Sequence, residues 1–372
     1  MITIKEAKTK NELKQFIKFS FDLYKDNPYW IPPLISDELE SFDKTKNPAF
    51  EHAEAYFYIA YKDGKMAGKL AAIINWQEVN QQQKKKVRFG WFDVIDDIEV
   101  TKALLEKVYE LGRKHDLEFV EGPIGFSNLD KVGVLTEGFD QIGTMITWYN
   151  YPYYVDHLEQ LGYAKEKEYI ESIFSFNDVS PDSFIKASEL IKKRYGLRVL
   201  PLNTTKEIML YVDKMFDLFN TTYAKLASFV AVSETQKEYF KKKYIGLINP
   251  EYIKFIVDKD DKLIAFSIVM PSFSEALQKA KGKLFPFGFL HLLRAKKHSK
   301  SVLFYLIGID PEYQNKGVTA IIFDEYYKAF KKNNIETCIR TPELEENHAI
   351  HNMWKHFNPI IHKRRRTYRK DL

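Results

Sequence analysis

The spacing of apolar residues predicts alternating strands and amphipathic helices along almost the whole chain. Two β-rich runs flank 62–65, where Asp63-Gly64 is typical of a tight hairpin turn. Between 97 and 115 the apolar residues recur at helical spacing, which predicts an amphipathic helix. An apolar strand ending at Ile309 and a helix starting at Val318 are predicted further along. The pattern indicates an α/β chain.

The order of these elements repeats in the second half of the chain. The hairpin at Lys62 and the helix near Asn150 both recur 197 residues later, at Lys259 and Asn347. We therefore predict a duplication with a first domain over 1–178, a connecting helix over 179–195 and a second domain over 196–372. The alternative is that two unrelated α/β domains share a common order of elements.

Composition and charge exclude several classes of protein. The 372 residues are 45% hydrophobic and 15% aromatic, which is enough to build large cores and excludes general disorder. A net charge of +5 on so long a chain argues against a dedicated nucleic-acid binder. The single cysteine, Cys338, and the absence of metal-ligand spacings predict no disulfide and no metal. The sequence shows neither a secretory signal nor a transmembrane run, so we expect a cytoplasmic protein.

The segment 314–319 is the most informative for function. It lies between a strand and a helix, and its glycine allows a bulky anion to approach the backbone closely. Unpaired amides at a helix start point towards such an anion, and Lys316 adds a positive charge. This arrangement favours a diphosphate-binding loop. The alternative is an ordinary strand-to-helix connection with a capping glycine.

The same segment resembles motif A of the GNAT superfamily of acyl-CoA N-acyltransferases. The family pattern is Gln/Arg-x-x-Gly-x-Gly/Ala, and here it reads Gln314-x-x-Gly317-x-Thr319, with threonine replacing the last small residue. The order of elements in each half is also similar to that fold, as in the tandem plan of N-myristoyltransferases and bacterial tandem-GNAT proteins. The resemblance implies an α/β (α+β) fold with two tandem GNAT-type domains. Each would have a mixed, mostly antiparallel central sheet flanked by helices.

The resemblance further implies an acyl-CoA-dependent N-acyltransferase that moves an acetyl group to a primary amine. Acetyl-CoA or another acyl-CoA would be the cosubstrate, and the acceptor a small-molecule or peptide amine. The backbone of Ile307 and Ile309 would pair with the pantetheine arm, and Asn347 would open the family's fourth helix. The loop expected to hold the pyrophosphate comprises Gln314, Asn315, Lys316, Gly317, Val318 and Thr319.

Proton transfer is assigned from the same resemblance. The tyrosine that commonly follows the helix-opening asparagine by seven residues is Trp354 here, and an indole is not an acid near neutral pH. His351, on the same helical face, is the candidate donor. Glu343 is the candidate base. Glu345, Glu346 and, by analogy with N-myristoyltransferases, the carboxylate of Leu372 remain alternatives.

The first half carries carboxylates where the second half has its loop. Asp93, Asp96, Asp97 and Glu99 would repel a diphosphate, so we expect no CoA there. A glycine-rich stretch beginning at Gly122 and a cluster of tyrosines predict the acceptor side instead. The predicted acceptor residues are Asn128, Glu137 and Tyr154. The alternative is a structural loop that packs the halves together.

Two further segments carry unusual chemistry. An insertion over 272–298 has an aromatic and apolar centre with basic flanks. Three interpretations stay open for this insertion: a lid over an acyl chain, a membrane-surface contact through 281–297, or packing between the domains. The basic run 362–366 is interpreted as a solvated edge strand rather than a nucleic-acid site.

Two other functions stay open on the sequence alone. Trp354 and Thr319 are compatible with a catalytically silent acyl-CoA-binding or sensing protein. The basic run at 362–366 is compatible with an RNA-associated or aminoacyl-tRNA-associated protein. Enzymatic acyl transfer is the preferred hypothesis.

Overall fold

The computed structural model describes residues 1–127, 129–224 and 229–372. The strands of the first half are β1 (Ile2–Glu6), β2 (Ala53–Lys62), β3 (Lys65–Asn75), β4 (Lys86–Val94), β5 (Phe119–Gly122), β6 (Val134–Glu137) and β7 (Ala164–Ser175). Its helices are α1 (Lys10–Leu23), α2 (Ile35–Ser41), α3 (Trp76–Asn80), α4 (Ile98–Lys114) and α5 (Tyr153–Gln160), and α6 (Asp182–Tyr195) follows.

The second half has a similar order of elements. Its strands are β8 (Arg198–Val199), β9 (Ile253–Val257), β10 (Leu263–Pro271), β11 (Ser301–Ile309), β12 (Thr337–Arg340), β13 (Glu343–Leu344) and β14 (Ile360–Asp371). Its helices are α7 (Thr205–Met209), α8 (Val212–Tyr223), α9 (Glu234–Tyr244), α10 (Ser274–Ala280), α11 (Gly288–His298), α12 (Val318–Lys332) and α13 (His348–Trp354).

Local signals explain several element boundaries. Capping boxes open α1, α7 and α9, where a Thr or Ser side chain and the third residue of the helix satisfy each other's backbone amides. β8 has only two residues, and Pro201 beyond it has no amide hydrogen to donate to a neighbour. The residues Leu210 and Tyr211 separate α7 from α8, and the segment between β5 and α5 contains β6.

The strands of the described residues form one 14-stranded sheet. Along its main path the order is β1-β2-β3-β4-β5-β14-β7-β12-β11-β10-β9-β8, with β6 pairing β14 and β13 pairing β7. The pairs β4–β5 and β11–β12 are parallel, and the other pairs are antiparallel. The predicted fold class, a mixed and mostly antiparallel sheet flanked by helices, is confirmed.

The two halves exchange their last strands. β14, the last strand of the chain, lies between β5 and β7, while β7 in turn pairs with β12 of the second half. This exchange fuses the two half-sheets into a continuous one. The domain bounds at 178 and 196 remain a prediction, because hydrogen bonds of the sheet cross between the predicted domains.

The position of β14 corrects one prediction. The basic run was expected on a solvated edge strand, but β14 is central and the Lys363 and Arg365 side chains are buried, each 1% exposed. Both pair with Glu171, which compensates their charge inside the sheet. Lys363 and Arg365 are two residues apart, so their side chains lie on the same face of β14 and share this buried partner.

Each half contains a bulge in the first strand of its parallel pair. In the second half, Ile268 pairs with Leu306 and Val269 with Phe304, which leaves Tyr305 as the extra residue. In the first half, the pairing of β3 with β4 shifts between Lys69 and Ala71. Such a bulge bends its strand and increases the local twist, so β11 diverges from β12 beyond Phe304.

Candidate active site

A cavity of about 610 Å³ opens where β11 and β12 diverge. Their parallel pairing ends at Phe304 and Arg340, and the bulge at Tyr305 follows immediately. The opposite wall comes from the first half, mainly β4, β5 and the loop over 124–132. The volume is within the range of small-molecule sites, roughly 300–1,000 Å³.

The second-half wall of the cavity is largely apolar. β11 and α13 supply most of it, and α8 adds aromatic rings. Trp354 is only 2% exposed, with its ring 4.7 Å from that of Phe304 and 5.1 Å from that of Phe323. The residue in the place of the expected tyrosine therefore belongs to the core. The main apolar lining residues are Phe219, Phe304, Leu306, Ile307, Ile350 and Trp354.

Glu343 lies on the wall of this cavity, directly after β12. Its carboxylate forms an ion pair with Arg340, whose guanidinium carbon lies 5.1 Å from the centroid of the Trp354 ring. Burial raises the pKa of Glu343, although Arg340 and His351 favour the charged form. The arrangement holds a carboxylate that accepts a proton more readily than an exposed glutamate.

His351 is close to Glu343 but faces the loop rather than the cavity. Its Nδ1 lies 3.7 Å from Glu343 Oε2. Its Nε2 lies 3.0 Å and 3.1 Å from the carbonyl oxygens of Leu344 and Glu345, so Nε2 carries the hydrogen that is donated there. His351 therefore fixes the segment that presents Glu343, and its role as a proton donor remains a prediction.

The alternative bases lie elsewhere. Glu345 is paired with Arg364 at 2.6 Å, and Glu346 with Lys167 at 2.6 Å, both on the surface. The Leu372 amide donates to the Glu118 carbonyl at 3.0 Å beside β5. Among the described residues, Glu343 is the one of these four candidates that lines the cavity.

The first-half wall contains a buried ion cluster that sequence reasoning missed. Arg88 donates to Glu78 at 2.6 Å and 2.8 Å, and Lys86 lies 3.0 Å from Glu78 and 2.6 Å from Glu121. The side chains of Lys86, Arg88 and Glu78 are each 1% exposed. The positive neighbours lower the pKa of Glu78, and the negative ones raise that of Arg88. An arginine within the apolar run of β4 was the signal available in the sequence.

Asp130 is a second carboxylate on the cavity wall that was not predicted. It accepts hydrogen bonds from the amide of Ser127 at 2.8 Å and its hydroxyl at 3.2 Å. Removal from bulk water raises the pKa of Asp130. A side chain at Gly125 would bring its Cβ within 2.4 Å of Asp130 Cβ, so glycine is needed for this fold of the loop. The Leu129 carbonyl accepts from the Tyr305 hydroxyl at 3.4 Å, which joins loop and bulge.

The predicted diphosphate loop lies at the surface just beyond the end of β11. Asn315 (φ 60°) and Gly317 (φ 78°) adopt left-handed backbone conformations. Gln314, Asn315, Lys316 and Gly317 are exposed, and α12 begins with Val318. Within the described chain, the amides of Asn315, Gly317, Val318 and Thr319 donate to no protein acceptor. None of these residues is among the described lining of the cavity, and their binding role remains a prediction.

The two isoleucines predicted to pair with pantetheine already have side-chain partners. The Ile307 carbonyl accepts from the Tyr223 hydroxyl at 3.0 Å, and the Ile309 carbonyl from Gln314 Nε2 at 3.1 Å. A carbonyl oxygen has two lone pairs, so each can still accept a further donor. Asn347 opens α13 by accepting from the Ile350 amide at 3.3 Å, and it lines the cavity.

Glu137 and Tyr154, two of the three predicted acceptor residues, are not brought together. Asn128 lies outside the described residues. Glu137 pairs at the surface with Arg364 at 3.4 Å. Tyr154 is buried in the first-half core, where its hydroxyl accepts from the Val94 amide at 3.0 Å and is 2.8 Å from that of Tyr24. Their role in acceptor binding is untested.

The first half differs from the second at the start of its equivalent helix. The Asp97 carboxylate caps α4 by accepting from the Glu99 amide at 3.1 Å, and it also pairs with Lys62. An amide that is already capped by a carboxylate is less available to a diphosphate, and the absence of CoA from this half remains a prediction.

The described residues contain neither a membrane-spanning helix nor a metal-binding group of side chains. No helix among them is both long and apolar enough to cross a membrane. In the same part of the chain, no group of three or more His, Cys, Asp or Glu side chains is placed to hold a metal ion.

No family model matches the chain. It is 28% identical over 370 residues to Protein YghO of Escherichia coli K12, covering 98% of this chain and 94% of that one. It is 26% identical over 322 residues to the bacterial ceramide synthase of Caulobacter vibrioides, covering 84% of this chain and 82% of that one.

Among solved structures, a tandem GNAT protein from the clavulanic acid biosynthesis pathway covers the whole chain. Its TM-score is 0.59 at 12% identity, and the match includes 98% of that protein. The chain therefore shares the fold of this tandem GNAT protein, which agrees with the fold class predicted from its sequence.

Proposed function

We propose that this protein is an acyl-CoA-dependent N-acyltransferase that forms an amide in the cavity beside β11 and α13. The observation that supports this most strongly is the position of Glu343. A carboxylate with a raised pKa lies on the cavity wall where β11 and β12 diverge, in a fold shared with N-acetyltransferases. A base in that position can take the proton that an amine must lose when it attacks a thioester.

The loop over 314–319 is the proposed diphosphate site. Its unpaired amides and the start of α12 provide donors and a partial positive charge, and Lys316 contributes a full one. Asp310 follows the end of β11, and Ile307 precedes it by three residues. At roughly 3.3 Å per residue of strand, Ile307 is about 10 Å further from the loop. An extended arm bound along β11 would therefore lead from the loop into the cavity.

The reaction in this site is a nucleophilic acyl transfer. The amine nitrogen forms a bond to the thioester carbonyl carbon, the carbon–sulfur bond breaks, and Glu343 takes the amine proton. The thiolate that leaves is protonated from solvent. Arg340 keeps Glu343 ionised before the reaction, and His351 fixes the loop that carries it.

The cavity favours an acyl chain longer than the acetyl group expected from the resemblance. Phe304, Leu306 and Ile350 give it apolar walls, and about 610 Å³ is far more than two carbons require. A ceramide is the amide of a long-chain amine with a fatty acid, and a relative with 26% identity is named a ceramide synthase. Both observations support a long-chain acyl-CoA as donor.

The acceptor is proposed to approach from the first-half wall. Glu121 is already paired with Lys86, whereas Asp130 accepts only from Ser127 within the described chain. An ammonium group near Asp130 would find a counter-ion there, since a positive neighbour favours the charged carboxylate. We assign the acceptor's amine to this side of the cavity.

A silent acyl-CoA-binding protein is the second candidate. Trp354 favours it, because a buried indole replaces the acid expected at that place in the fold. The two functions differ in turnover. The purified chain is incubated with acyl-CoAs of increasing length and a panel of primary amines. We expect free thiol and amide product, quantified by mass spectrometry, in equal amounts. Thermal protection by CoA with no thiol release above the enzyme-free rate would instead identify the silent binder.

A further inference from the structure

The insertion between β10 and β11 forms a helical hairpin on the surface. α10 and α11 are joined by the loop over 281–287, which begins with the left-handed residues Lys281 and Gly282. The hairpin belongs to no part of the cavity, because the described lining residues include none from 272–298. The interpretation of this segment as a lid over the acyl chain therefore finds no contact to support it.

The inner face of the hairpin is firmly attached to the first half. Gln278 Nε2 donates to the carbonyls of Pro28 and Trp30 at 2.8 Å and 3.1 Å, and the Ser274 hydroxyl donates to the Gly143 carbonyl at 2.8 Å. Leu277 is buried beside Ile31. Because this face already supplies packing between the halves, the side chains on the outer face are not needed for the core.

The outer face exposes large apolar side chains close together. Phe285 and Phe287 at the tip are 76% and 66% exposed, and Leu290 and Leu293 on α11 are 50% and 54% exposed. The Phe285 ring lies 5.7 Å from that of Phe289. Exposed apolar side chains are ordinary when they are scattered, but a cluster at the tip of a hairpin is typical of an interaction site.

The hairpin's own charged residues near this cluster are all basic. No Asp or Glu occurs between Glu275 and Asp310. Leu293 shares a shallow groove with Arg294 and Lys297. Lys296 is not part of this rim, since its Nζ donates to the Gly246 carbonyl at 2.6 Å. The exposed basic residues beside the apolar side chains are Lys281, Lys283, Arg294 and Lys297.

We infer that this hairpin docks the protein on the surface of an anionic lipid bilayer. The aromatic tip would enter the interface between headgroups and acyl chains, and the basic rim would contact anionic headgroups. Charge complementarity favours a lipid surface, because the apolar tip is flanked by the exposed basic residues Lys281, Lys283, Arg294 and Lys297, and a bilayer with anionic headgroups is negative at its surface and apolar beneath. The inference does not depend on the acyl-transfer proposal, since the hairpin and the cavity share no residue.

The test is sedimentation of the full-length chain with vesicles. The vesicles are either phosphatidylcholine alone or phosphatidylcholine with one third phosphatidylglycerol, at about 0.1 M salt. We expect binding to the anionic vesicles, at least tenfold weaker binding to the neutral ones, and a further loss at higher salt. The double variant Phe285→Ser with Phe287→Ser should lose at least tenfold in binding.

The matched control changes exposed apolar residues outside the hairpin. Leu210 and Ile360 are 74% and 70% exposed, so Leu210→Ser with Ile360→Ser removes comparable surface and should leave binding unchanged. Circular dichroism of both double variants should show native melting temperatures. Equal binding by the Phe285 and Phe287 variant would overturn the inference. So would a wild-type dimer that this variant converts to a monomer, because the hairpin would then be a protein interface.

Discussion

The Glu343 carboxylate pairs with the Arg340 guanidinium at the point where β12 ends and the cavity begins. Arg340 is 4% exposed, so this charge pair is screened weakly by solvent. Burial of Glu343 nevertheless outweighs its positive neighbours and raises its pKa. The pair thus combines an ionised base with a strong tendency to accept a proton.

This relationship predicts a pH dependence of turnover. The base must be ionised, so kcat/KM should rise with pH, with a midpoint above the ordinary value of 4.5 for a glutamate. The native state holds this proton more tightly than the unfolded chain, so Glu343's contribution to stability should fall over the same rise in pH. A pH profile of kcat/KM measures the first effect. A rate independent of pH from 4.5 upwards would contradict it.

The buried ion cluster of the first half predicts a large loss of stability when one partner is removed. Arg88→Met leaves the buried Glu78 carboxylate with Lys86 as its remaining partner, and should lower the free energy of unfolding by about 3–5 kcal/mol. Lys107→Met breaks a surface pair with Glu110 and should cost less than about 1 kcal/mol. Urea unfolding of both variants makes the comparison, and equal losses would show that the cluster is not the stabilising feature.

The size of the cavity predicts selectivity for the acyl chain. Ile350→Trp places a larger side chain into the cavity from α13, and should lower kcat/KM for long-chain acyl-CoA at least tenfold relative to acetyl-CoA. Asn352→Trp adds the same ring on the exposed face of the same helix and should leave the ratio unchanged. If both variants changed the ratio of the two kcat/KM values equally, the acyl chain would not bind in this cavity.

The loop before α12 predicts a charge effect on CoA binding. Lys316→Glu reverses an exposed charge and should weaken CoA about tenfold by calorimetric titration. Lys331→Glu, at the exposed far end of α12, is the matched control. A change at Gly317 is a less suitable test, because any Cβ there would lie 2.6 Å from Ile191 Cδ1 in a backbone conformation that favours glycine. If Lys316→Glu bound CoA with unchanged affinity, the proposal that this loop binds the diphosphate would be wrong.

Local chemistry made much of the fold predictable. The helix over 318–332 and the hairpin at Asp63-Gly64 depend on periodicity and turn residues that are close in sequence. The exchange of β7 and β14 was not predictable, because pairing between distant strands leaves no local signal. For the same reason, the basic residues of β14 were interpreted as solvated, although Glu171 compensates them within the sheet.

The candidate site was predictable only where the family resemblance applied. Glu343 and Asn347 were named from it, and both line the cavity. Asp130 and the cluster around Arg88 were missed. The position of Arg88 in the apolar run of β4 is a local signal of burial, but nothing near it in the sequence identifies Glu78 as its partner or Asp130 as a cavity residue. Their environment is created by the loop over 124–132 meeting the bulge at Tyr305, which is a tertiary contact.

The most direct test of the account is the rate of amide formation by Glu343→Gln under single-turnover conditions. The substitution preserves shape and removes the proton acceptor. Its rate should fall by about 10²–10⁴ while calorimetric affinity for CoA is unchanged. Glu346→Gln, on the same loop but exposed and paired with Lys167, should react at the wild-type rate. Wild-type rates from Glu343→Gln would contradict the assignment of this cavity as the place where the amide forms.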